Sequence, residues 1–159
     1  MTPGQKIAAE RRKQPFLVLG FDLREELYKM ACTETLRPNL DLRRLPKLTI
    51  RHSQYSGSGG RAYLVSNRII LTLGYDVTPA RLLELLLHEL VHHACPRKTH
   101  HGFLFIYRLN RAAEELWGIF IEDVYTVERG SNRVKAYAVD ALITEQLALQ
   151  FANPIARAI

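Results

Sequence analysis

The chain has 159 residues, of which 47% are hydrophobic and 24% charged, the composition of a globular protein long enough to bury a core without disulfides. Its two cysteines, Cys32 and Cys95, exclude a disulfide framework and a four-cysteine zinc ribbon. The net charge is +6, and the longest apolar run, Leu82–Leu87 with an internal glutamate, is far shorter than the roughly 20 residues of a membrane-spanning helix.

The first thirteen residues are basic but lack the apolar centre of a signal peptide, so we expect a cytoplasmic, intracellular protein. Residues 1–68 hold 13 Lys and Arg against 6 Asp and Glu, whereas residues 69–159 hold 9 against 10. This asymmetry favours a polyanionic partner, with DNA as the candidate, bound through the basic N-terminal part. A basic surface that only keeps the protein soluble fits equally well, and no aromatic interleaving for base stacking accompanies it.

A helix is predicted from Asp22, whose side chain forms a capping pair with Glu25, and it should fade before Pro38. Three β-branched segments then predict strands, two of them separated by a short turn, and we expect them to form a small antiparallel sheet. These segments are Leu48–His52, Ala62–Val65 and Arg68–Leu73. His52 has no partner visible in the sequence and is assigned a structural role.

A second helix is predicted from Thr78, as N-cap, with Pro79 in the first helical position. It is apolar on nearly every side as far as about Ala94, which is typical of a buried helix. A further helix should begin near Gly102 and end at Gly118, because its apolar residues recur at helical spacing and glycine often ends a helix.

Beyond Gly118 we predict two extended segments and a last helix, at 119–121, 124–127 and about 134–150. The whole chain, 1–159, is therefore interpreted as one α+β domain. It consists of a core over about 22–120, in which the sheet packs on the buried helix, and a C-terminal strand and helix extension over 121–159.

Five of the six histidines lie within fourteen residues, and two of them form the pattern His88-Glu89-Leu90-Val91-His92. On a helix this HExxH spacing places both imidazoles on one face, where they can bind one ion, with the glutamate held nearby. That is the chemistry of a zinc-dependent hydrolase, most often a peptidase. Zinc acidifies water and polarises the scissile carbonyl, and Glu89 is the predicted general base. A chance match on a core helix is the competing interpretation.

The third zinc ligand is predicted to be His101, which lies just past the turn that follows His92. Glu114 and Glu115 are the alternatives, because a gluzincin-type enzyme places its third ligand on the next helix. Glu115 is fourteen residues beyond His101, about 21 Å further along a helix, so an antiparallel helix carries both glutamates past the metal. We therefore expect them to form a solvated or salt-bridged helix face.

Several side chains near this cluster are weaker candidates. His93 and His100 flank the predicted ligands and are candidates for stabilising an oxyanion, although a surface histidine is the commoner outcome. Cys95 would close the site as a fourth ligand, so a packing role is preferred. Tyr107 and Tyr137 are further candidate oxyanion donors, with core or surface roles favoured for both.

With these residues placed, the chain resembles the SprT-like family of zinc metallopeptidases, which includes Spartan-related proteases. Gly60–Tyr63 and Asn67–Leu71 look like the strand pair that precedes the family's active-site helix. Leu87–His93 looks like that helix, and His101–Phe105 looks like the family's HG-x-x-aromatic signature. The resemblance covers roughly residues 22–120 and implies a zincin-like fold.

The resemblance implies that His88, His92 and His101 bind zinc and that Glu89 is the catalytic acid and base. It also implies endopeptidase activity, with DNA-associated proteins as candidate substrates. The chain departs from many family members because its two cysteines cannot form their C-terminal zinc ribbon. Two alternatives remain: a gluzincin-like regulatory peptidase, and a non-catalytic nucleic-acid-binding module with a structural zinc.

Overall fold

Within residues 1–97, 99 and 101–118, which this computed structural model describes, the chain forms four α-helices, one short 3-10 helix and two small sheets. The α+β class is therefore confirmed. The helices and strands, in chain order, are α1 (Pro3–Lys13), β1 (Leu17–Val18), β2 (Phe21–Asp22), α2 (Leu23–Ala31), the 3-10 helix Arg37–Asn39, β3 (Lys47–His52), β4 (Gly59–Tyr63), β5 (Arg68–Leu73), α3 (Pro79–His93) and α4 (Phe103–Trp117).

Helix α3 lies at the centre of the core. It begins as predicted, because the Thr78 hydroxyl accepts a hydrogen bond from the Arg81 N–H and Pro79 occupies the first helical position. Its leucines are buried on every side, and the helix contacts β4, β5, α2 and α4. Each buried leucine contributes about 1.5–3 kcal/mol to folding, so the helix is held rigidly along its length.

The main sheet has the order β3-β5-β4, and it is mixed rather than antiparallel as predicted. Strand β4 pairs antiparallel with β5, but β3 pairs parallel with β5 on its other side. The predicted strand Ala62–Val65 is also displaced, since β4 runs over Gly59–Tyr63. The strands β3 and β4 are consecutive in sequence but are not neighbours in the sheet, because β5 lies between them.

The connection from β3 to β4 explains this order. The Gly57 N–H donates to the Asp76 carboxylate, and the Gly74 N–H donates to the Ser58 hydroxyl. These bonds hold the connection against the residues that follow β5. The chain therefore passes the end of β5 before it turns back as β4 at the far edge.

Helix α1 was not predicted, although Thr2 and Gln5 form a capping box with hydrogen bonds of 2.8 and 3.1 Å. The helix packs on the end of β3, where the Arg12 guanidinium donates to the His52 carbonyl. His52 itself is buried and its Nε2 lies 2.9 Å from the Pro15 carbonyl oxygen, in keeping with its predicted structural role.

Two helix ends match the prediction. The Asp22 carboxylate caps α2 by accepting from the Arg24 and Glu25 N–H groups, and this helix ends at Ala31, before Pro38 as expected. Helix α4 ends at Gly118, which adopts a left-handed conformation. No helix in the described part of the chain is long and apolar enough to cross a bilayer. The predicted extension over 121–159 lies outside the described residues.

Candidate metal and catalytic site

Three histidines meet at the C-terminal end of α3. His88 and His92 lie one helical turn apart, and His101 lies just before the start of α4. The Nε2 atom of His101 is 3.1 Å from the Nε2 atoms of both His88 and His92. Within the described residues, this is the one group of three or more His, Cys, Asp or Glu side chains whose ligand atoms are close enough to hold a metal ion.

The spacing of these nitrogen atoms fits a metal ion, since the ligand atoms of the three rings all lie within 4.8 Å of one another. Nitrogen ligands lie about 2.0–2.1 Å from zinc in a tetrahedral site, so two such nitrogens should be separated by about 3.3 Å. The two separations that involve His101, of 3.1 Å each, are close to that value. Three imidazoles are also the ligand set that leaves a fourth tetrahedral position for substrate or water.

The protonation state of His88 also favours metal binding. Burial, and then the neighbouring imidazoles of His92 and His101, lower the pKa of His88 to about 3. The ring is therefore neutral at pH 7. A neutral imidazole has a lone pair to offer, which a metal ion requires of its ligand.

Phe105 forms the floor beneath the three imidazoles. Its ring is fully buried, and its centroid lies 4.9, 4.4 and 5.0 Å from those of His88, His92 and His101. One rigid ring thus contacts all three imidazoles and restricts their rotation. Phe105 is the aromatic residue of the HG-x-x-aromatic pattern. The pattern marks this residue in the sequence, but its contact with the three imidazoles is seen only in the structure.

Glu89 is buried beside the three histidines, with only 6% of its surface exposed. Burial, and then the nearby Glu84, raise the pKa of Glu89 to about 7, while a hydrogen bond from the Ala62 N–H and the charge of Arg81 act in the opposite direction. A carboxyl group with such a pKa can take up and release a proton at neutral pH.

The Glu84 carboxylate is satisfied by a separate contact. It is buried and forms a 2.5 Å ion pair with Arg81, whose guanidinium also donates to the Ser58 carbonyl. This pair fixes the start of α3 against the chain that leads into β4. Because Glu84 and Glu89 lie on the same helix, this ion pair also helps to fix the orientation of Glu89 relative to β4.

The histidines and Glu89 line one cleft, of about 450 Å³, between α3 and the edge strand β4. Residues 60–64 form one wall, with Cys95, Pro96 and Arg97 on the side where α3 ends. Gly60 is necessary for this packing, because a Cβ at Gly60 would lie 2.9 Å from Glu89 Cγ. Sequence reasoning missed Gly60 and the Ala62 N–H, because their contribution depends on how β4 packs on α3.

The two glutamates considered as alternative ligands make other contacts. The Glu115 carboxylate accepts from the N–H groups of Glu34 and Thr35 and from the Thr35 hydroxyl, at 2.7, 3.1 and 2.6 Å. Glu114 forms an exposed ion pair with Arg111. Glu114 therefore lies on a salt-bridged helix face, as predicted, whereas Glu115 is hydrogen-bonded to the turn after α2, a contact that was not predicted.

The weaker candidates lie at the margins of the cleft or away from it. His93 Nε2 is 3.1 Å from the Arg68 carbonyl oxygen, which ties α3 to the sheet. Cys95 is partly buried in the cleft wall, where burial raises the pKa of its thiol. Tyr107 is exposed on α4. His100 and Tyr137 lie outside the described residues.

Comparison of the chain with protein-family models, with curated proteins and with solved structures gives no match. The resemblance to SprT-like metallopeptidases therefore stays a prediction.

Proposed function

We propose that the chain is a zinc-dependent endopeptidase of SprT-like type, with His88, His92 and His101 as the zinc ligands. The proposal is carried by the convergence of three Nε2 atoms and one buried carboxylate in a single cleft. The HExxH helix packed beneath a small sheet supports a zincin-like assignment of the fold. Zinc, when bound, supplies Lewis acidity that polarises a carbonyl group and lowers the pKa of water.

Glu89 is the proposed general base and acid. Its carboxylate takes the proton of the attacking water and then delivers that proton to the leaving nitrogen of the cleaved peptide bond. The Ala62 N–H and the close packing against Gly60 hold the carboxyl group on the β4 side of the cleft. Its pKa near 7 allows both proton transfers at neutral pH.

Strand β4 is the proposed support for a peptide substrate. It lies at the edge of the sheet, and residues 60–64 form a wall of the cleft. An extended peptide can pair with an exposed strand edge through its main chain, which binds many sequences without reading each side chain. This geometry favours an unfolded or extended segment over a small-molecule substrate.

The central test compares wild-type protein with Glu89→Gln. Zinc content is measured by mass spectrometry and cleavage with fluorescently labelled casein. Glu89→Gln should keep the zinc of the wild type and lose cleavage at least a hundredfold, because amide cannot accept the proton. Glu114→Gln, an exposed glutamate on α4, is the matched control and should cleave at the wild-type rate. Undiminished cleavage by Glu89→Gln would remove the proposed role of Glu89.

DNA-associated proteins are the proposed substrate group, supported by the resemblance and by the basic N-terminal part, residues 1–68. Cleavage of purified histones would be compared with cleavage of casein, each with and without DNA. Faster cleavage of histones only when DNA is present supports this group. Equal rates for all four mixtures would contradict a preference for DNA-associated proteins and would indicate a general endopeptidase.

A further inference from the structure

The side of the main sheet that faces away from α3 is strongly basic. Alternate residues of a strand point to opposite faces, and Leu48, Ile69 and Leu71 are buried toward the core. Their neighbours therefore form the opposite side, which we call the outer sheet face. Its members are Lys47, Thr49, Arg51, Arg61, Tyr63, Arg68, Ile70 and Thr72.

The strand register brings the positive charges together. Lys47 on β3 is directly opposite Arg68 on β5, and Arg68 is directly opposite Tyr63 on β4. Like charges in opposite positions destabilise a sheet, and each such pair needs compensation. Among the described residues, none of the four cations of the outer sheet face forms an ion pair with a carboxylate. This arrangement of cations is more consistent with a binding site for an anionic ligand than with a surface that contacts only solvent.

A shallow depression of about 340 Å³ lies on this face and is lined by Arg51, Arg61 and Tyr63, among others. Arg61 and Tyr63 follow each other on the same side of β4, about 6.8 Å apart along the strand. The Tyr63 side chain is 40% exposed. A cation beside an accessible aromatic ring provides both a phosphate contact and a surface on which a base can stack.

We propose that the outer sheet face binds single-stranded nucleic acid, with Lys47, Arg51, Arg61 and Arg68 contacting phosphates and Tyr63 stacking on a base. The face is the flat side of a three-stranded sheet, and neither a helix nor an isolated two-stranded ribbon projects from it to enter the major groove of a duplex. An acidic peptide or an anionic membrane would satisfy the cations but would not use the tyrosine ring. Single-stranded DNA and RNA both offer phosphates and bases to this face. The experiment below distinguishes between them.

The outer sheet face lies next to the candidate cleft, but the two are separate sites. Arg61 and Tyr63 line the depression and also the cleft on the other side of β4. A nucleic-acid strand bound to the outer sheet face would therefore pass beside the entrance of the cleft. Binding itself requires neither zinc nor Glu89, so it can be measured on metal-free protein.

The experiment measures binding of fluorescein-labelled oligo(dT) and oligo(U) to the full chain by anisotropy, over a series of salt concentrations. Arg51→Gln/Arg68→Gln should reduce the slope of log affinity against log salt by about 1.4, because each phosphate contact on a single strand contributes about 0.7. The matched control is Lys6→Gln/Arg37→Gln, which removes two exposed cations outside the sheet and should keep the wild-type slope. Thermal melting establishes that both variants are folded.

The stacking contact is tested with two substitutions of one residue. Tyr63→Ala should weaken oligonucleotide binding about 5- to 100-fold, whereas Tyr63→Phe, which keeps the ring, should bind within about twofold of wild type. Tighter binding of oligo(U) than of oligo(dT), or the reverse, identifies the nucleic acid. Equal loss in the Lys6→Gln/Arg37→Gln control, stronger binding of duplex DNA, or equal binding of polyglutamate or phosphatidylserine vesicles would overturn the proposal.

Discussion

Gly60 and Glu89 are so close that a Cβ on Gly60 would lie 2.9 Å from the Glu89 Cγ atom and 3.0 Å from its Oε1 atom. The glycine lies on the edge strand and the glutamate on the helix below it, twenty-nine residues later in the sequence. Because Gly60 has no side chain, the proposed catalytic carboxyl group of Glu89 can occupy this position.

Gly60→Ala should therefore displace Glu89 and lower the rate of peptide cleavage by at least tenfold. A Cβ would also lie 2.8 Å from Leu71 Cδ2, so overpacking should lower the free energy of unfolding by about 1–3 kcal/mol. The control is Gly59→Ala on the same strand, because a Cβ at Gly59 meets nothing within 4 Å. Cleavage rates and thermal melting would be measured for both, and equal rates would contradict the steric role of Gly60.

Substitution of Phe105 tests the floor of the three-histidine cluster. Phe105→Leu keeps an apolar side chain but removes the ring that contacts all three imidazoles, so zinc affinity should fall about tenfold or more. A competing fluorescent chelator measures that affinity. Phe103→Leu is the matched change on the same helix, where Phe103 is 82% exposed, and it should bind zinc normally. Equal affinity in the two variants would mean that Phe105 only fills space.

The neighbouring residues Glu114 and Glu115 separate stability from metal binding. Glu115→Ala removes the acceptor of three hydrogen bonds from the turn after α2 and should lower the free energy of unfolding by about 1 kcal/mol. Glu114→Ala breaks only an exposed ion pair and should have little effect. Both should retain full zinc. Loss of zinc from either variant, with retention in His101→Ala, would indicate a gluzincin-type site.

His52 should make the protein less stable in mild acid. Burial, followed in size by an opposing hydrogen bond to the Pro15 carbonyl, leaves the folded pKa of His52 below its ordinary value of 6.5. The unfolded chain therefore binds the proton more tightly, so the free energy of unfolding falls as the pH decreases from about 6.5 toward the folded pKa. Denaturant unfolding at several pH values should show a smaller decrease for His52→Gln than for wild type. Identical pH dependence would exclude His52 as a contributor.

The features that the sequence predicted well are local ones. Thr78 with Pro79 marks a helix start through contacts within one turn, and Gly118 marks a helix end by its own backbone conformation. The spacing of His88 and His92 needs only helix geometry to place both rings on one face. His101 followed from the shortness of the connection after α3. Each of these predictions depends on residues close together in the chain.

The features that the sequence did not predict depend on distant contacts. The order β3-β5-β4 is set by hydrogen bonds between the β3–β4 connection and residues after β5, such as that from the Gly57 N–H to Asp76. The space that Gly60 leaves for Glu89 exists only once β4 has packed on α3. Helix α1 is an exception, because its capping box of Thr2 and Gln5 is a local signal present in the sequence.

The burial of α3 on every side has a consequence for how the three histidines come apart. The amide hydrogens of a helix enclosed in this way exchange with solvent only when the whole domain opens. His88 and His92 should therefore keep their mutual spacing for as long as the protein is folded. His101 lies outside α3, so its distance from that pair depends on how the start of α4 packs against α3. The three-histidine cluster should therefore lose its geometry first through displacement of His101, and not through separation of His88 from His92.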